Sequence, residues 1–209
     1  VPVPDGICLR SGDAVEGLSL LPPVFIKPCC EDASVGIDAD SLVADRHGLQ
    51  AAVARKLRQF PCGIIVESFL TGTEYNVGCL GCFPYEVLGV STMDYTGQKD
   101  VLPFLTYSAK WQTETREFRA LIPSPANPVP PELRDRIVDV AVRTGQALGC
   151  SGYFRVDMRE HNGRLFVIDV NPNPDINTDS GFMRQAYHKG YTYDDVLDKI
   201  IKAAITSLD

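Results

Sequence analysis

The chain is poor in several residue types and patterns, and each shortage excludes something. It has one tryptophan, three histidines and three methionines among 209 residues. Cys79 and Cys82 form a C-x-x-C, but neither a second such pair nor paired histidines completes a zinc cage. No apolar run approaches the roughly 20 residues that a membrane-spanning helix needs. No basic-then-apolar segment leads the chain, so nothing points to a signal peptide. Basic residues are outnumbered, 20 against 27 acidic, and the resulting charge of -7 disfavours nonspecific nucleic-acid binding. The seven cysteines are odd in number and sit mostly among apolar residues, which suits reduced thiols in a cytoplasmic protein. Internal repeats, low-complexity tracts and flexible linkers are also missing.

What remains is an ordinary globular composition, 44% apolar and 22% charged, enough for one large or two small domains. "PPVFIKP" reads as a short strand with Lys27 opposite Ile26, followed by the small-residue loop "EDASVGI". Apolar residues at 49, 52, 53, 57 and 60 follow the helical period over 46–60. "CGIIVESFL" reads as a buried strand, "TGTE" as a turn, and "EYNVGCLGC" and "YEVLGV" as two more strands. The proline-rich stretch 91–130 lacks sustained periodicity and reads as a long ordered excursion. "PPELRDRIVDVAVRTGQALGC" is the clearest helix, with proline at its start and Gly149 past its end. Two strands around "HNG" and a last helix over about 193–207 complete an α+β chain of two lobes, 1–68 and 69–209.

The strands around "HNG" carry the most chemistry. In "YFRVDM", Phe154, Val156 and Met158 alternate with Tyr153, Arg155 and Asp157. In "FVIDVN", Phe166, Ile168 and Val170 alternate with Val167, Asp169 and Asn171. A two-residue Asn162-Gly163 turn would place Asp157 and Asp169 on opposite faces. A three-residue His161-Asn162-Gly163 loop unites the apolar set on one face and Arg155, Asp157, Asp169 and Asn171 on the other, so this register is expected. Two carboxylates and an amide oxygen so close together call for a cation, and all-oxygen donors suit Mg²⁺ or Mn²⁺. A salt bridge from Arg155 to Asp157 or Asp169 is the alternative that the residues leave open.

"FRVDMREHNGRLFVIDVNPNPDIN" resembles the metal-binding hairpin of ATP-grasp carboxylate–amine ligases, most closely the D-alanine–D-alanine ligase-like branch. The resemblance runs from about residue 2 to the C-terminus, through "PVFIKP", "EDASVGI", "GIIVESFLTGTEYNVG", "YSAKW", "LGCSGYFRVDM" and "VIDVNPNPD" in order. It implies an ATP-grasp fold with nucleotide between two α+β lobes. It also implies Mg²⁺-dependent formation of an acyl phosphate that an amine attacks, giving an amide or peptide bond. Lys27 matches the phosphate-binding lysine, and Ser34, Val35 and Gly36 the lid loop. Glu67, Ser68, Phe69 and Leu70 match the adenine hinge, Glu74 the ribose acceptor, and Ile168 a further nucleotide contact. Asp157, Asp169 and Asn171 match the metal ligands, while Arg155 and Lys110 match the catalytic cations.

The chain departs from the family on the amino-acid side. Ala33 and Trp111 stand where a serine and a tyrosine usually organise the first substrate. Asp175 replaces a usual glycine, and only Ser180-Gly181 matches the pair that holds the second carboxylate. These four substrate positions, Trp111, Asp175, Ser180 and Gly181, imply a substrate other than two D-alanines. "VPVPDGICLRSGD" resembles the entry to the family's second domain, so an N-terminal domain or another chain is expected to complete the enzyme. The resemblance also admits a homodimer.

Overall fold

The computed structural model describes residues 1–13, 19–93, 95, 102–112, 114, 124–125 and 128–206, with the side chain of residue 206 excepted. Much of the expected excursion over 91–130 lies outside these residues. Contacts divide the chain into two units. One comprises Pro4–Thr71 and Tyr95–Leu121, the other Val1–Val3, Gly72–Asp94 and Ile122–Asp209. The expected bounds, 1–68 and 69–209, differ in giving Phe69–Thr71 and 95–121 to the larger lobe and 1–3 to the smaller. Phe104 accounts for the first two, its ring meeting Phe25 edge-on at 4.9 Å and Phe69 at 6.2 Å, and Pro2 for the third, its carbonyl accepting from the Val167 N–H at 2.9 Å.

In the first unit, β1 (Gly6–Leu9), β2 (Val24–Pro28), β3 (Leu42–Val43) and β4 (Ile64–Ser68) form an antiparallel sheet in the order β1-β4-β2-β3. Strand alternation sends Val24, Ile26, Ile64 and Val66 to one face, where they bury against Leu49, Ala52 and Val53 of α1 (Arg46–Gln59). Asp45 caps α1 by accepting from the Gly48 N–H at 3.0 Å. The opposite face carries Phe25, Lys27, Ile65 and Glu67. A short helix, α2 (Tyr107–Trp111), is capped by Thr106, whose Oγ1 accepts from the Ala109 N–H.

In the second unit, β5 (Glu74–Leu80), β6 (Glu86–Met93), β7 (Tyr153–His161) and β8 (Arg164–Asn171) form an antiparallel sheet in the order β6-β5-β7-β8. Tyr75, Val77, Phe154, Val156 and Met158 face α3 (Pro131–Leu148), contributing to a core with Ile137 and Ala141. Gly149 ends α3 at φ 64, the left-handed conformation that favours glycine. The other face receives α4 (Gly181–His188) and α5 (Tyr193–Thr206) through Leu80, Leu88, Phe182, Met183, Ala186 and Val196. The α4 helix is absent from the sequence reading, although Ser180 followed by Phe182, Met183 and Ala186 has the spacing of a capped amphipathic turn.

The β7–β8 register corrects one expectation and preserves its consequence. The turn is the two-residue Asn162-Gly163, both left-handed at φ 50 and 74, with His161 opposite Arg164. A bulge at Ile168 then shifts the pairing: Met158 faces Val167, but Asp157 faces Asp169 and Arg155 faces Asn171. Leu165 and Val167 therefore enter the core where Phe166 and Ile168 were expected.

Candidate active site

Each unit carries its own polar cluster. In the first, Lys27 and Glu67 lie on adjacent strands of the face away from α1, and Lys27 Nζ sits 2.9 Å from Glu67 Oε1. The Ser68 and Phe69 N–H groups donate to the Asp5 and Pro23 carbonyls at 2.8 and 3.0 Å. These two donors of the expected adenine hinge are thus committed within the unit. Leu70 is buried.

The loop after β2 is a chain of tight turns. Ala33, Ser34 and Gly36 have φ of 52, 63 and 75. The Val35 N–H donates to Asp32 and the Ile37 N–H to Ser34. At Gly36 a Cβ would fall 2.4 Å from the Phe60 ring, so only glycine fits this position. Lys56 fastens the loop from below. Its buried Nζ donates to the Gly36 carbonyl at 2.6 Å and to both Asp38 oxygens at 2.9 Å. The helical pattern conceals this role, because Lys56 falls beside the apolar stripe of α1. From α2, Trp111 Nε1 donates to the Ala33 carbonyl at 2.8 Å, and Lys110 Nζ lies 5.5 Å from the indole centroid. The two positions that depart from the family pattern, Ala33 and Trp111, are thus bonded to each other.

In the second unit the polar face of β5, β7 and β8 holds Glu74, Asn76, Arg155, Asp157, Arg159, Asp169 and Asn171. Arg155 grips Asp157 bidentately, Nε to Oδ1 at 2.7 Å and an Nη to Oδ2 at 2.6 Å. Asn76 Nδ2 adds a third donor to Asp157 Oδ1 at 2.9 Å. Arg159 Nε lies 3.3 Å from Glu74 Oε2. Burial works against the Arg155 charge. Asp157 foremost, then Asp169 and Glu74, outweigh it and hold the guanidinium's pKa above its ordinary range. Sequence reasoning missed Asn76 and Arg159, which share the alternation of Glu74 and Asp157 and could have been read from it.

The donor set fits a hard divalent cation. Asp157 and Asp169 are direct cross-strand partners, and Asn171 follows Asp169 on the same face. The structure also contains the salt bridge that the residues left open, so a cation would share the Asp157 carboxylate with Arg155. Among the described residues no group of three or more His, Cys, Asp or Glu is placed to hold a metal. A cation here would therefore rely on Asn171 and on ligand oxygens from outside the chain.

The expected substrate positions have structural partners. Ser180 caps α4, its Oγ accepting from the Met183 N–H at 3.2 Å, and Gly181 is the first residue of that helix. Asp175 is exposed, and its Oδ1 accepts from the Asn177 N–H. Asn171 Oδ1 accepts from the Asn173 N–H, and Tyr153 donates its hydroxyl to Asn173 Oδ1. Cys79 is buried while Cys82 is exposed.

Comparison with known proteins places this geometry. The family model described as "D-ala D-ala ligase C-terminus" matches residues 12–202. A D-alanine–D-alanine ligase of Gluconobacter oxydans is 30% identical over 98% of this chain and 63% of its own length. An uncharacterized protein of Sinorhizobium fredii is 29% identical over 98% of this chain and 58% of its own. Among solved structures, D-alanine–D-alanine ligase from Bacillus anthracis, complexed with ATP, superposes with a TM-score of 0.78 at 21% identity, covering 99% of this chain and 62% of that one. The VanG D-Ala:D-Ser ligase of Enterococcus faecalis gives 0.75 at 26%, covering 97% and 57%. The chain thus spans about three fifths of the length of these relatives. It has their ATP-grasp-like fold, and it belongs to the D-alanine–D-alanine ligase C-terminal family.

Proposed function

We propose that the chain is the nucleotide- and metal-binding part of an ATP-dependent ligase that joins a carboxylate to an amine through an acyl phosphate. The observation that carries this reading is the pairing of Asp157 with Asp169, with Asn171 beside Arg155 on the same face. Mg²⁺ or Mn²⁺, held by Asp157, Asp169 and Asn171, would neutralise phosphate charge. Lys27 adds a cation for the phosphates once it exchanges Glu67 for them. Glu67 and the backbone of the hinge through Leu70, apart from the committed Ser68 and Phe69 N–H groups, serve the adenine, and Glu74 the ribose. Lys110 and Arg155 stabilise negative charge that grows on the transferred phosphoryl and acyl groups. The chain's own work is positioning and charge stabilisation. Its free thiols suit the cytoplasm, where this ligation would take place.

The substrate is proposed to be an amino acid or peptide that is longer or more basic than D-alanine. Trp111 offers an indole face, and exposed Asp175 favours a cationic group. Phosphate release from ATP, measured across amino acids and dipeptides with the longest available chain, tests this. Brisk D-alanyl-D-alanine formation with other amino acids inert would defeat the substrate assignment. Calorimetry with ATP, with and without Mg²⁺, tests the nucleotide half separately. Heats without turnover on any acceptor would favour a nucleotide-binding module that does not ligate.

A further inference from the structure

Four cysteines of the first unit come together, although they are separated in sequence and come from three parts of its sheet. Cys8 lies on β1, Cys29 and Cys30 follow β2, and Cys62 precedes β4. The Cys8 and Cys29 sulfurs are 3.1 Å apart. Cys62 lies near enough to Cys30 to help raise its thiol pKa, after burial. Cys8 is exposed and Cys29 is partly so. The backbone between the first two is shaped to let them meet. The Cys29 N–H donates to the Gly63 carbonyl at 3.0 Å, which sets the glycine against Cys29. A Cβ there would come 3.1 Å from the Leu9 carbonyl and 3.5 Å from Cys29 Sγ, and φ at Gly63 is +123. Cys8 shares its sheet face with Lys27, since both are cross-strand partners of Ile65.

We propose that Cys8 and Cys29 form a dithiol modification site, which a low-molecular-weight disulfide oxidises to an intramolecular bridge. The chemistry runs in two exchanges. The exposed Cys8, as thiolate, attacks one sulfur of the small disulfide, forming a mixed disulfide and releasing one small thiolate. Cys29 then gives its proton to that thiolate or to water and attacks the Cys8 sulfur, releasing the second small thiolate. The chain loses two hydrogens, and one small disulfide becomes two thiols. The sulfurs must approach by about 1 Å to reach the bonded separation of about 2.05 Å. The β1 strand is at the edge of its sheet and Cys29 lies just past the end of β2, so the residues that must move are those least held by neighbouring strands. Burial foremost, then the bond to Cys8 and the charges of Cys8 and Cys30, push the Cys29 thiol up to about 12. Cys8, the more exposed thiol and the one whose partner is held protonated, is therefore the thiol that attacks the small disulfide from solution, and Cys29 is left to resolve the mixed disulfide.

The test uses the native chain, oxidised glutathione as the probe, alkylation of remaining thiols and peptide mass mapping. The expected product is a peptide pair linking Cys8 to Cys29, two hydrogens lighter than the reduced pair and reversed by dithiothreitol. The Cys29→Ser chain should instead retain glutathione on Cys8, because the resolving thiol is gone. Cys29 and Cys30 are adjacent, so the Cys30→Ser chain is mapped as well and should keep the linkage. A stable glutathione adduct on Cys8 in the native chain would overturn the proposal. So would a bridge from Cys8 to Cys30 or Cys62, or loss of the linkage in Cys30→Ser.

Discussion

Arg155 and Lys56 are the residues whose removal is most telling. Arg155 holds the buried Asp157 carboxylate opposite Asp169, so Arg155→Ala leaves two carboxylates facing each other. Removing one partner of such a pair costs about 3 kcal/mol. A divalent cation can then take the vacated role, so Mg²⁺ should raise the melting temperature of Arg155→Ala more than that of the native chain. Thermal melts with and without millimolar Mg²⁺ check this, and equal shifts would mean that the carboxylate pair does not take the ion. In the ligase reading the same substitution lowers turnover roughly 10²-fold while ATP affinity changes much less. Parallel loss of both would reduce Arg155 to a structural role. Lys56→Met keeps the aliphatic bulk but removes the close donor to the Gly36 carbonyl, leaving it only the Ser41 hydroxyl at 3.5 Å. About 1–3 kcal/mol of unfolding free energy should be lost, read from urea titration, while Asp38 regains water because its side chain is 55% exposed.

At the scale of elements, the β5 strand and the β7–β8 hairpin show how local irregularity places the chemistry. Register shifts at Gly78/Cys79, and the buried Gln185 of α4 repairs the ladder there. Its Oε1 accepts from the Gly78 N–H at 2.8 Å, and its Nε2 donates to the Asn76 carbonyl and Ser91 Oγ, both at 2.9 Å. Gln185→Leu removes all three bonds and strands a buried N–H, so a loss of about 1–3 kcal/mol is expected in denaturant unfolding. Asn76 carries this bond and also donates to Asp157, so the same variant should weaken any Mg²⁺-dependent stabilisation. A Gln185→Leu chain with native stability would show that water replaces the side chain. In the hairpin, strand alternation identified the right polar residues from sequence but drew them together by the wrong device. The Asn162-Gly163 pair is the ordinary signal for a two-residue turn, and the parity it imposes is corrected by a bulge. No residue pattern announces a bulge at Ile168, because its cause is the fit of Leu165 and Val167 into a core built by α3.

On the scale of the whole chain, acid stability follows from Glu86. Burial raises its pKa, but hydrogen bonds from Lys199, Tyr191 and Lys189 outweigh that and bring it down to about 2. These partners join β6 to α5 and to the segment between α4 and α5, with Lys199 at 2.9 Å and Lys189 at 3.2 Å. The folded value lies below the unfolded one near 4.5. The contribution is therefore complete above about pH 4.5 and is lost as pH falls towards 2. Solvent screening keeps it modest, since the Glu86 side chain is 31% exposed. Melting temperatures from pH 7 to pH 2 should fall across this window, and less steeply in Glu86→Gln. An identical acid limb in the variant would assign the loss to other carboxylates.

Periodicity alone pointed to the α+β class, the helix read over 46–60 and the one in "PPELRDRIVDVAVRTGQALGC", every described strand except β1 and β3, and which side chains of "YFRVDM" are polar-facing. These depend on local spacing, with 3.6 residues per turn and two per pleat, and a linear pattern records both. Ordered motifs then pointed to the family and its metal trio. Only tertiary structure decided that Lys56 turns inward beneath the loop after β2, that Gln185 completes β5, and that Cys8 meets Cys29. Each joins residues separated by many positions, at a geometry set by sheet register, a bulge or a glycine without a side chain. Such contacts are products of packing, and packing is a property of the folded chain rather than of any segment in it.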